Sequence, residues 1–190
     1  MTRPAWRARS RTPWRRPDTG AEAVPRRSPP RPLPSPSHFA VRHLDRRIQA
    51  ALRADPSLAD QAVEELLRYL SVAKSFMRTA LEDVVVGGQT IEAGTTVVLS
   101  YNTANRDFER FGDPHLLDLR RESGGHLAFG HGIHLCLGAQ LARVEMRVAF
   151  SALLQRFPTL RLAVLAEDVA VRPESADIHG VKSLPVTWDV

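Results

Sequence analysis

Apolar residues recur at helical spacing in two stretches of the chain, and each stretch predicts a helix. In the first, LADQAVEELLRYL, an apolar side chain returns every three or four residues, as a helix with one buried face requires. Asp55 is a suitable N-cap for this helix, and Pro56 is a suitable first residue. The second stretch, LGAQLARVEMRVAFSALLQRF, follows the single cysteine. We expect its apolar residues to share one helical face: Leu137, Leu141, Val144, Val148, Leu153 and Phe157.

Strand patterns lie between the two helices and after the second one. DVVVGGQTIEAGTTVVLS predicts short strands, with turns at Gly87 and Gly88 and again at Ala93 and Gly94. Residues 105–121 are polar and irregularly spaced, which predicts a long ordered loop. The C-terminal residues from Leu160 onward predict further short strands. The whole pattern indicates a mainly α fold with small β-sheets, in the α+β class.

The N-terminal region has a different composition. Residues 1–37 hold nine of the fourteen prolines, and residues 1–47 carry a charge of +9, whereas the whole chain carries +5. Such a segment buries too little apolar surface to offset the entropy of ordering it, so we expect 1–37 to be disordered and 38–190 to fold. Arginines beside Trp6 and Trp14 could bind nucleic acid or anionic lipid, but a tail without a partner is the favoured interpretation.

The bulk properties limit the classes of protein that fit. No apolar run approaches the roughly 20 residues of a membrane span, and the N-terminus lacks the apolar core of a signal peptide. One cysteine in 190 residues cannot form an internal disulfide. We therefore expect no membrane association and a cytoplasmic location.

That cysteine lies in FGHGIHLCLG, a stretch with three glycines and two histidines. A thiolate is a good ligand for iron, and the N-terminus of the following helix would favour an anionic sulfur. Glycines at positions 130, 132 and 138 leave the backbone open to a flat ligand. A planar macrocycle against this loop would explain both features. A buried, inert cysteine is the structural alternative.

The stretch HLAFGHGIHLCLGAQLARVE fits the pattern F-G-x-G-x-x-x-C-x-G and resembles the haem-binding loop of bacterial cytochromes P450. The resemblance implies haem b, with Cys136 as the axial thiolate ligand of the iron. It implies that Phe129, Gly130 and Gly138 shape the loop against the haem. It also implies that Arg78 and His134 bind the haem propionates, and that His126 approaches the haem edge.

A second motif of the family is the pair Glu65 and Arg68 in EELLR, three residues apart on one helical face. On residue pattern alone this is an ordinary surface ion pair. The resemblance implies instead a buried cluster with a third arginine ahead of the cysteine. Arg121 is the candidate and Arg120 the alternative. The segment NTANRDFERFGDP also resembles the family, although Asn105 and Arg106 could simply cap a loop.

The resemblance implies a monooxygenase that oxidises a small organic substrate with electrons from a ferredoxin and its reductase. Residues 71–77 and 178–181 resemble segments that contact substrate. The resemblance covers residues 50–190, which correspond to the C-terminal portion of the family. The sequence lacks the family's distal helix with its acid–alcohol pair. We therefore identify no catalytic residue, and we expect a truncated fragment that is not a competent oxygenase by itself.

Two other interpretations remain open. His126, His131, His134 and Cys136 offer four nitrogen and sulfur donors, the number that zinc prefers, so a zinc-binding or interaction module is one alternative. A non-catalytic remnant with a basic N-terminal arm is the other.

Overall fold

The computed structural model describes residues 46–173 and 175–189, so the predicted disorder of residues 1–37 lies outside it. Helix α1 spans Arg46–Ala54 and helix α2 spans Ala59–Leu70. A 3-10 turn, Pro56–Leu58, joins them. Asp55 accepts a hydrogen bond from the Ser57 amide at 3.2 Å. The predicted cap is therefore present, but it caps the 3-10 turn that leads into α2.

Three small antiparallel sheets follow α2, which confirms the prediction of a helical fold with short strands. Strand β1 (Ser75–Thr79) pairs with β4 (Thr96–Ser100), and Arg78 lies opposite Val97. Strands β2 (Val84–Val86) and β3 (Gln89–Ile91) form a hairpin. Its two turn residues, Gly87 and Gly88, have φ of 57° and 80°, values that a two-residue turn requires and glycine permits. Strand β5 (Arg161–Leu162) pairs with β6 (Val186–Thr187).

The predicted loop at residues 105–121 contains one short helix that its sequence does not reveal. After the helical turn α3 (Tyr101–Ala104), helix α4 spans Phe108–Phe111. Asp107 caps α4 by accepting from the Glu109 amide at 2.9 Å, and Gly112 ends it with φ of 63°. Four residues are too few to display a helical period, so composition alone predicted a loop here.

Helix α2 forms the centre of the described fold and is buried over most of its length. Its buried apolar residues pack toward α1 and toward the last helix, α5 (Ala139–Arg156). A cluster of buried apolar side chains joins α1, α2 and the loop before the cysteine: Ile48, Leu52, Leu58, Ala62 and Leu119. Within the described ranges, no helix is long and apolar enough to cross a bilayer.

The expectation of a single apolar face on α5 was wrong. Leu141, Val144 and Val148 form one stripe with Leu137, and all four are more than half exposed. At about 100° per residue, Leu153 lies on nearly the opposite side of the helix. There it lines an apolar cavity with Phe150, Leu154 and residues of α1 and β5. Helix α5 is therefore apolar on two sides, which a single-face interpretation of its sequence misses.

Candidate functional site

The glycine-rich loop opens onto a cavity of about 510 Å³. The residues that line it come from the segment after α2, from β1, from α3 and from the loop: Val72, Ala73, Phe76, Arg78, Tyr101, Ala128, Phe129, His134 and Cys136. Four side chains singled out in the sequence therefore share one cavity: Arg78, Phe129, His134 and Cys136. The wall is otherwise largely apolar. On it, the Cys136 thiol and the side chains of Arg78 and His134 could bind a metal or a carboxylate.

The loop backbone presents Cys136 at this cavity. The Cys136 amide donates to the Phe129 carbonyl at 2.9 Å, and a 3-10 turn, Gly132–His134, fills the space between them. Gly130 has φ of 75°, and a Cβ there would lie 3.0 Å from the Tyr101 hydroxyl oxygen. The loop therefore needs glycine at position 130 for both conformation and space. Cys136 itself is exposed, so the alternative of a buried, inert cysteine does not hold here.

Helix α5 begins directly after the cysteine. The Ala139 amide donates to the Cys136 carbonyl at 3.1 Å, and Gly138 is the N-cap residue with φ of −80°. A Cβ on Gly138 would lie 3.9 Å from the Cys136 sulfur, which is an ordinary contact. Among the described residues, nothing therefore requires glycine at 138, unlike at 130.

Arg78 and His134 reach the cavity from two different elements, β1 and the 3-10 turn of the loop. Arg78 is half-buried on β1, and one of its terminal nitrogens donates to the Met77 carbonyl at 2.9 Å. His134 ends the 3-10 turn two residues before Cys136 and is exposed. Of the two predicted substrate segments, residues 71–77 contribute Val72, Ala73 and Phe76 to the wall. None of residues 178–181 lines the cavity, although Ile178 forms an isolated antiparallel β-bridge with Ala73.

Glu65 and Arg68 form a fully buried ion pair on α2. Arg68 grips both carboxylate oxygens, with Nε to Oε2 at 2.7 Å and Nη2 to Oε1 at 2.8 Å. Its remaining N–H groups donate to the carbonyls of Asn105, Pro114 and Leu116. All five donors of the guanidinium are therefore used, which is the condition for tolerating such a charge in the interior.

Arg121, and not Arg120, is the third member of this cluster. Arg121 Nε donates to Glu65 Oε1 at 3.2 Å, and its terminal nitrogens donate to the carbonyls of Phe111, Asp113 and Leu116. Arg120 is 70% exposed and reaches only Asp55, at 3.9 Å. Burial alone would raise the pKa of Glu65. Hydrogen bonds from Arg68, Ser123 and the Asp118 amide instead hold that pKa below its ordinary value.

Asn105 is a fully buried residue whose role the sequence did not reveal. Its side-chain amide donates to the Ser71 hydroxyl at 3.0 Å, and its side-chain oxygen accepts from the Leu127 amide at 2.6 Å. Its carbonyl accepts from Arg68 at 2.7 Å. Asn105 thus connects the end of α2 to the start of the cysteine loop.

His126 faces α2 and does not line the cavity, and its approach to the haem edge stays a prediction. Its Nδ1 accepts from the Ala128 amide at 3.1 Å, so its Nε2 carries the proton and donates to Glu64 at 3.0 Å. Burial lowers the pKa of His126, and the contact with Glu64 offsets only part of this effect. Arg143 on α5 binds the same carboxylate, at 2.6 and 3.0 Å.

The geometry does not support the zinc alternative. In residues 46–173 and 175–189, no group of three or more histidine, cysteine, aspartate or glutamate side chains could hold a metal ion. Both ring nitrogens of His126 already have partners in the protein. A set of four donors drawn from His126, His131, His134 and Cys136 therefore does not assemble.

The donor set fits a haem. A single accessible thiol, an apolar wall and two side chains able to bind carboxylates meet the needs of an apolar macrocycle with an iron centre and two propionates. The family model of cytochrome P450 matches residues 40–164. The chain belongs to the cytochrome P450 family.

Curated relatives agree over the same region. Cytochrome P450 105C1 of a Streptomyces species is 54% identical over 140 residues, which are 73% of this chain and 36% of that protein. Nocardicin C N-oxygenase of Nocardia uniformis subsp. tsuyamanensis is 54% identical over 141 residues, or 73% of this chain and 35% of the relative. The chain thus spans about a third of the length of these relatives.

Solved structures share the fold. The crystal structure of cytochrome P450 MoxA from Nonomuraea recticatena superposes with a TM-score of 0.76 at 44% identity, over 82% of this chain and 39% of that one. The tirandamycin C-bound P450 monooxygenase TamI gives a TM-score of 0.72 at 51% identity, over 82% of this chain and 38% of that one. The described fold is therefore part of the P450 fold.

We predict that Arg68→Ala lowers the free energy of unfolding by about 3–5 kcal/mol, because it removes the partner of Glu65 in a buried ion pair and leaves the carbonyls of Asn105 and Pro114 without their donor. Arg120→Ala, at an exposed position beside the cluster, should change it by less than about 0.5 kcal/mol. Urea unfolding followed by circular dichroism measures both. Equal effects of the two substitutions would contradict a buried network.

We also predict that the free energy of unfolding decreases as the pH falls below about 6.5, the ordinary pKa of histidine. Because the pKa of His126 is lowered in the fold, the unfolded chain takes up the proton first, and protonation favours unfolding. His179, whose pKa burial and Lys74 also lower, contributes with the same sign. His126→Gln should therefore flatten the stability profile between pH 7 and 5.5 without abolishing its slope. An unchanged profile would contradict the assignment.

Proposed function

We propose that this chain forms the haem-binding part of a bacterial cytochrome P450 monooxygenase and holds haem b through the thiolate of Cys136. One observation carries the proposal: Cys136, Arg78 and His134 line a single, largely apolar cavity together with Phe129. In this proposal Arg78 and His134 bind the haem propionates. When bound, thiolate-ligated haem supplies the activation of dioxygen.

The residues around Cys136 have separate tasks in this proposal. Its sulfur lies just ahead of the first residue of α5 and at the cavity, where it is available as a ligand of iron. Phe129 forms part of the wall beside it, and Gly130 lets the loop pass close to Tyr101. Gly138 ends the loop and begins the helix. Phe76, Val72 and Ala73 form part of the apolar wall of the cavity.

Arg78 suits a propionate because its guanidinium is always charged and can offer paired hydrogen bonds to one carboxylate. Its place on β1 is fixed by pairing with Val97 on β4. Glu65, Arg68 and Arg121 act in this proposal as structural residues. They hold the segment ahead of the loop and do not contact the cofactor.

We further propose that the complete enzyme oxidises a small organic substrate with electrons from a ferredoxin-type donor. The curated relatives support this class of reaction, since they include an N-oxygenase and a 6-deoxyerythronolide B hydroxylase from Saccharopolyspora erythraea. The acid–alcohol pair that delivers protons in the family has no counterpart in this sequence. The proposed role of these 190 residues is therefore haem binding, and turnover needs further residues.

Haem reconstitution tests the ligand assignment. The full chain, loaded with haemin, reduced and exposed to carbon monoxide, should give the red-shifted absorption band of thiolate-ligated iron. Cys136→Ala should abolish that band because Cys136 is the only cysteine in the chain. His131→Ala, a neighbouring residue that does not line the cavity, should leave it intact. A band that survives loss of the thiol would refute the assignment.

Replacing a propionate ligand should weaken haem binding. Arg78→Ala removes a charge-assisted contact and should raise the dissociation constant for haem about tenfold to a hundredfold. Arg156→Ala, on an exposed face at the end of α5, should leave it unchanged. Haem titration followed by absorbance measures both dissociation constants. Equal affinities of the two variants for haem would contradict the assignment of Arg78 as a propionate ligand.

A further inference from the structure

A second ion pair lies beside Phe129 of the cavity wall, and neither of its residues belongs to the Glu65–Arg68 pair or to the F-G-x-G-x-x-x-C-x-G pattern. Arg143 on α5 grips Glu64 on α2 with both Nε and Nη2, at 2.6 and 3.0 Å. The pair is only partly exposed, 20% for Arg143 and 27% for Glu64. Solvent therefore screens its charges less than those of a surface pair.

This pair touches the residue that separates it from the cavity. The guanidinium carbon of Arg143 lies 4.9 Å from the centroid of the Phe129 ring, within cation–π range. Phe129 lines the cavity beside Cys136, and its carbonyl accepts from the Cys136 amide. One aromatic ring thus stands between the ion pair and the site of the thiol.

The same carboxylate also anchors the chain that leads to Phe129. His126 donates to Glu64 at 3.0 Å and accepts from the Ala128 amide, which immediately precedes Phe129. Burial lowers the pKa of His126, which favours its neutral form. The cluster therefore holds one negative and one positive charge, and the two cancel as seen from the cavity.

We propose that Glu64 and Arg143 are positioning residues that hold Phe129 in the cavity wall and, as a balanced charge pair, set the reduction potential of iron bound at Cys136. The inference rests on the proposed function. Reduction adds one electron to the iron, so an uncompensated positive charge nearby favours the reduced form and an uncompensated negative charge disfavours it. Removing either partner leaves the other charge in place behind Phe129.

The two single substitutions therefore have opposite effects. Glu64→Gln leaves Arg143 positive and raises the midpoint potential, whereas Arg143→Gln leaves Glu64 negative and lowers it. The double variant returns toward the wild-type value, and Arg143→Lys, which keeps the charge, stays near it. A residue that merely supports the fold would move the potential in the same direction whichever partner is removed.

The chain contains a matched control between the same two helices. Arg147 on α5 pairs with Asp60 on α2 at 2.8 Å, one turn farther along, but Asp60 is 74% exposed and Arg147 39%. Water screens this pair more strongly because Asp60 is largely exposed, and neither residue lines the cavity. Asp60→Asn and Arg147→Gln should leave the potential unchanged while changing the same type of helix-to-helix contact.

The experiment is a spectroelectrochemical titration of the haem-loaded full chain and these variants, with the carbon monoxide band recorded for each. Shifts of opposite sign for Glu64→Gln and Arg143→Gln, with the thiolate band retained, support the inference. Shifts of the same sign, or none, with the band retained overturn it alone. A wild-type chain without the thiolate band overturns the proposed function, and this inference with it.

Discussion

The described fold depends on the buried ion pair between Glu65 and Arg68. Two opposite charges in the interior are tolerable only when every donor and acceptor finds a partner. The fold meets that condition by bringing the loop of residues 105–123 to α2, where its carbonyls accept from Arg68 and Arg121. That loop has little regular structure of its own, so its backbone needs these partners as much as the arginines need the carbonyls. The ion pair and the loop are stable only together.

A short series of contacts connects the buried ion pair on α2 to the cysteine. Asn105 is held by Arg68 through its carbonyl, and it holds the Leu127 amide through its side chain. Two residues later Phe129 accepts from the Cys136 amide. The two hydrogen bonds of Asn105 involve buried or partly buried groups, so loosening one costs more than loosening a surface contact would. The thiol is therefore positioned by residues that do not touch it.

Sequence alone was enough for the parts of the molecule that are local or carry a motif. The spacing in EELLR, the glycines around Cys136 and the strand turns at Gly87 and Gly88 each sit within a few residues of what they specify. Contacts between distant residues were not accessible in this way. Glu64 and Arg143 are 79 positions apart, and the residue pattern around either one does not predict their contact. Whether Arg121 or Arg120 joins the Glu65 cluster likewise depends on which side of one backbone turn faces α2. The exposed apolar stripe of α5 depends on which elements pack against that helix.

The way the arginines are used explains why Arg78 stands out among them. Arg68, Arg121 and Arg143 are bound to carboxylates and carbonyls, and Arg106 donates to the Tyr69 carbonyl while burial lowers its pKa. Over the described part of the chain, Arg78 donates instead to the carbonyl of its own neighbour, Met77, and its side chain lines the cavity. The interior thus balances its own cations. No carboxylate is among the residues that line the cavity, and in the proposed function a haem propionate is the anion that pairs with Arg78 there.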